Sequence, residues 1–214
     1  MTRILTGLCA LCLYAQVPCR AASTPRDTLR VDLDVVFDAS LTKEVRTLAQ
    51  KEAALIWKAH DVELQFQDRH GAAAMHLDVV ITSNQSDPLF HQSPPALGGI
   101  VRDGLRHGSI RISVDRVEST LERRHNIQAW LHERDLGWAL GRVLAHEIGH
   151  ALLGGPPFHD ATGLMRPSFK ADDLAAPEVK SFRLADASAA RLRVRIAGVL
   201  NRQSEAEPPL ECPY

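Results

Sequence analysis

Val143-Leu144-Ala145-His146-Glu147-Ile148-Gly149-His150-Ala151-Leu152-Leu153-Gly154 carries two patterns at once. The first is an apolar stripe: Leu136, Leu140, Val143, Leu144, Ile148, Ala151 and Leu152 recur at helical spacing. It predicts a helix from about Glu133 to Leu153, stopped by Gly154-Gly155-Pro156-Pro157. The second is polar. At about 100° per residue, His146 and His150 lie about 40° apart and one turn along, so both imidazoles can reach one ion. Glu147 is too close to join them easily as a ligand but can touch a water beside them. A buried helix with three inward polar groups needs something to satisfy them, and a zinc ion would.

A tetrahedral zinc needs a third protein ligand and an open position. His159 follows the Gly-Gly-Pro-Pro bend, which can bring its imidazole back under the first two. Asp160 is its nearest rival, and Glu178 is another if a later helix completes the set. Gly163-Leu164-Met165-Arg166-Pro167 then reads as a tight apolar turn. Gly137, Gly141 and Gly149 each cost about 1 kcal/mol in a helix relative to Ala. Close packing of that helix on the sheet is the expected compensation.

Residues 142–169 resemble the metzincins, whose signature is His-Glu-x-x-His-x-x-Gly-x-x-His followed by a methionine turn. His146, Glu147, His150, a nearby Gly, His159 and Met165 match it. The wording is closest to the matrixins, with their His-Glu-Ile-Gly-His-Ala-Leu helix and Leu-Met-x-Pro turn. The family's third histidine would fall on Pro156 and its glycine on Leu153, so the loop here is longer by about three residues. Pro167 stands where some branches carry a tyrosine ligand. The resemblance implies an α+β fold in which a mixed twisted sheet packs on the active-site helix, with an edge strand bordering the cleft.

Outward from this stretch, Leu29–Phe37 alternates as a strand, with Val31, Leu33 and Val35 on one side and Asp32 and Asp34 on the other. Ser40 or Thr42 can cap a helix to about His60, with Leu41, Val45, Leu48, Ala49, Leu55 and Ile56 apolar. Val62–Phe66, Met75–Thr82, Leu97–Val101 and Ser109–Val114 read as strands, and residues 84–99 as a long loop. Residues 119–132 are ambiguous. A last helix is expected over Leu184–Leu200, and a disordered tail over 201–214. The order strand, helix, strands, helix, helix predicts a single α+β domain over residues 23–200.

Residues 1–22 read as a signal peptide: Arg3 leads an apolar run from Ile4 to Val17, and Cys19-Arg20-Ala21 fits cleavage after Ala21. The run is too short to span a bilayer, and no second one of membrane length follows, so an exported protein without a membrane span is expected. Three of four cysteines lie in this leader, which leaves only Cys212 and no internal disulfide. A formal net charge of −1 argues against a nucleic-acid partner. Histidines 60, 70, 76, 91, 107, 125 and 132 show no ligand spacing and read as surface or loop residues.

The expected activity is zinc-dependent endopeptidase cleavage of a protein or peptide substrate. Zinc acts as Lewis acid, and Glu147 as the general base that takes a water's proton and passes it to the leaving amine. The alternative is an inactive zinc-binding or structural protein on the same scaffold.

Overall fold

The computed structural model describes residues 28–66, 75–83, 96–103, 107–122, 129–154 and 158–206. The expected leader, Cys212 and residues 207–214 of the expected tail lie outside these residues, as do His70, His91, His125 and most of the long loop.

Among the described residues the architecture is α+β, a five-stranded mixed sheet with five helices. The strands are β1 (Leu29–Phe37), β2 (Val62–Gln65), β3 (Met75–Thr82), β4 (Gly98–Asp103) and β5 (His107–Ser113), in spatial order β2-β1-β3-β5-β4. The first four in that order run parallel, and β4 closes one edge antiparallel to β5. Alternation sets the two faces. Leu29, Val31 and Leu33 of β1, Leu77, Val79 and Ile81 of β3, and Ile110 and Ile112 of β5 are all buried in one core. Arg30, Asp78 and His107 on the other face are exposed.

Helix α1 (Lys43–Lys58) connects β1 to β2 and is capped by Thr42, whose hydroxyl accepts from Val45 N–H at 3.3 Å. Ser40 instead bonds the Asp38 carboxylate. The buried face of α1 is Val45, Ala49, Glu52, Ala53, Ile56 and Trp57. Leu55, expected in the core, is exposed, because the stripe that meets the next helix passes through Glu52 and Ile56.

Helix α2 (Val114–Leu121) was not expected. Ser113 ends β5 and caps α2 by accepting from Arg116 N–H, so a run that reads as strand continues as helix. The long helix α3 (Ala129–Leu153) begins about one turn earlier than expected. It packs on α1 and borders β4 and β5. Its glycines compensate differently from the expectation. A Cβ at Gly141 would lie 2.6 Å from Ala49 O and 2.7 Å from Glu52 Cβ, so the close partner is α1, not the sheet. After α3 come a short helix α4 (Ala171–Leu174), a 3₁₀ turn (Val179–Phe182) and α5 (Asp186–Ala206). The helix therefore runs through residues 201–206, which the sequence assigns to the tail. Among the described residues, no helix is long and apolar enough to cross a membrane.

Candidate metal centre

The C-terminal half of α3 carries His146, Glu147 and His150, and Gly154 ends the helix at φ 66°. The chain then returns beneath the helix. Asp160 N–H donates to Met165 O at 2.8 Å, and Leu164 N–H to Arg183 O at 2.9 Å, with Gly163 at φ 76° between them. This closed turn is fully buried at Leu164 and Met165. A Cβ on Gly149 would run into Met165 Sδ, so the glycine in the His-Glu-Ile-Gly-His sequence is what lets the methionine lie against the helix. Trp57, which also borders the Gly149 position, donates its indole N–H to Ala145 O at 3.1 Å, tying α1 to the same turn of α3.

The bend brings His159 to the pair on the helix. Its ring centroid is 5.6 Å from that of His146 and 5.0 Å from that of His150. Ligand atoms of the three imidazoles all lie within 4.8 Å of one another. Neither rival joins the group: Asp160 accepts a 2.6 Å hydrogen bond from the Ser188 hydroxyl, and Glu178 is an exposed residue at the start of the 3₁₀ turn.

The proton positions at His146 follow from its partners. Leu164 O can only accept, so the 2.8 Å contact requires a proton on His146 Nδ1. Burial, reinforced by the charges of His159 and Arg166, lowers its pKa to about 4, and the ring is neutral. Its Nε2 is therefore a bare lone pair, facing His150 Nε2 at 3.0 Å. A neutral imidazole oriented by a carbonyl on its other nitrogen is how metal-ligating histidines are held. The donor set thus fits a zinc ion: three neutral-capable nitrogens, one exposed and one half-buried, with no fourth donor side chain in the group among the described residues.

Glu147 is buried at 5% exposure, and that burial raises its pKa to about 8. Strand β4 presses on it: a Cβ on Gly98 would lie 3.0 Å from Glu147 Oε1 and 3.1 Å from its Cγ. The glycine leaves room for the carboxyl at the start of the edge strand. A buried carboxyl with a perturbed pKa beside a ligand cluster has the character of a catalytic acid or base.

Several supporting residues were not anticipated. Arg142, one turn before His146, is fully buried; its Nε donates to Glu52 at 2.8 Å and its two terminal nitrogens to the carbonyls of Asp173, Leu174 and Ala176. It anchors the segment after the methionine turn to α3. Phe169 in that segment stands edge-on to His146, with centroids 5.3 Å apart. Arg142 falls on the side of the helix opposite the Leu136–Leu152 stripe, so the apolar pattern did not mark it for burial. Of the remaining histidines, His107 is exposed, in keeping with a surface residue, while His60 is half-buried and accepts from Leu184 N–H.

No protein-family model matches this chain, and no curated protein matches it.

Proposed function

We propose that this chain is an exported, metzincin-type zinc endopeptidase, with His146, His150 and His159 as metal ligands and Glu147 as general base. The observation that carries the proposal is the convergence of three imidazoles within 4.8 Å beside a buried carboxyl. When bound, zinc supplies the Lewis acidity that makes water a nucleophile near neutral pH. Leu164 O holds His146 in the tautomer that presents Nε2. Met165 and Trp57 both pack at the Gly149 turn of the helix, which keeps the imidazoles in register. Glu147 takes a proton from water and returns it to the leaving amine; its position next to Gly98 puts it at the rim of β4.

Among the described residues, β4 pairs with a strand on one side only. Its free edge supports binding of an extended peptide by strand addition, which would run the scissile bond past Glu147. The retained base favours turnover over the alternative of an inert zinc-binding scaffold.

Glu147→Gln is expected to keep its zinc and lose about 10²–10⁴-fold in peptide cleavage, measured with a quenched peptide library. His159→Ala should lose zinc, and Asp160→Ala should not. Full activity in Glu147→Gln would remove Glu147 from the mechanism. Zinc binding that leaves wild-type protein inactive on every peptide would favour the inert scaffold.

A further inference from the structure

The face of the sheet turned away from the helices holds a second donor cluster. Asp34 on β1 and Asp78 on β3 are directly paired in the parallel register, and His76 lies two residues before Asp78 on the same face. His76 Nε2 is 3.5 Å from Asp34 Oδ2 and 3.4 Å from Asp78 Oδ1. One ligand atom from each of the three lies within 4.8 Å of the others.

Both spacings are compatible with donors around one ion, since donors around a tetrahedral ion with bonds of about 2.0–2.2 Å stand roughly 3.3–3.6 Å apart. The 3.4 Å contact to Asp78 is also a long hydrogen bond. Asp34 meets His76 through Oδ2, and its other oxygen, Oδ1, is sealed from solvent with no hydrogen-bond partner among the described residues. Asp32 on β1 and His107 on β5 sit directly across from His76 on either side, with the His107 ring 6.0 Å from that of His76.

We propose that Asp34, His76 and Asp78 form a second site for a divalent ion of the zinc class, on the open face of the sheet. One nitrogen and two carboxylate donors suit zinc better than magnesium, which demands octahedral oxygen ligation. The donors come from two neighbouring strands, so the ion ties β1 to β3 and acts on stability rather than on substrate. This assignment does not depend on the activity proposed for the helix cluster.

The test is zinc stoichiometry on the purified protein, by calorimetry and metal analysis. Wild type should bind two equivalents. Asp78→Asn and His76→Gln should each bind one, with the lost site at least tenfold weaker, and should keep the equivalent that His150→Ala removes. His150→Ala should in turn keep the equivalent lost in Asp78→Asn. Two equivalents retained in both Asp78→Asn and His76→Gln would overturn the proposal, as would a single wild-type equivalent that only His150→Ala abolishes. A single equivalent lost in Asp78→Asn but kept in His150→Ala would sustain this site and remove the helix one. Should any variant fail to fold, the wild type decides: His76 ring resonances must shift with zinc and not with magnesium, and unmoved resonances overturn the site.

Discussion

On one side of the sheet, three imidazoles meet beside a buried glutamate; on the other, an imidazole meets two aspartates in the open. The side chains are of the same kinds, but their settings differ. His146 is buried and oriented by a backbone carbonyl, and Glu147 is cut off from water. His76 and Asp34 are partly open, and Asp78 is 68% exposed. Burial costs the first cluster stability and gives it groups with altered proton affinity; exposure leaves the second able to hold an ion and little else.

The largest stability effect should fall on the buried side. Arg142→Leu leaves Glu52 buried without its partner and three carbonyls without a donor. Chemical denaturation should show a loss of about 3–5 kcal/mol. Asp78→Asn, on the open face, should change zinc-free stability by only about 0.5 kcal/mol. Equal losses would erase the contrast between the two faces.

A smaller effect sharpens it. In metal-free protein Glu147 has its pKa raised from 4.5 to about 8. Between those values the folded state holds a proton that the unfolded state has released. The contribution of Glu147 to stability should therefore be fully present below about pH 4.5 and decline as pH rises toward 8, by an amount on the order of a few kcal/mol. Glu147→Gln should flatten that decline in metal-free unfolding curves, and an unchanged slope would mean that the carboxyl is not desolvated. Zinc should also reverse the preference, because a nearby cation favours the ionised carboxylate.

What could be read in advance follows the same division. The spacing of His146, Glu147 and His150 is a property of one helix, and the stripe from Leu136 to Leu152 shows which way that helix faces. The strand alternation in Leu29–Phe37 and Met75–Thr82 was equally local. His159 was readable because a helix stop and a tight turn bracket it, and the structure brings it to the pair. The rest depends on pairings between distant segments. Leu55 is exposed and Glu52 buried because the buried face of α1 meets Arg142, ninety residues away, which bonds the acid. His76 acquires Asp34 only through the β1–β3 register, which no spacing within one segment reveals. Helix α2 was hidden because Ser113 serves β5 and the cap together.

The proposed function requires that three imidazoles, and no carboxylate, hold one zinc on the α3 side. X-ray absorption at the zinc edge, on zinc-loaded His76→Gln protein, isolates that site. Three imidazole nitrogens and one light oxygen donor at roughly 2.0–2.1 Å are expected. Two imidazoles with a protein carboxylate completing the set would contradict the account.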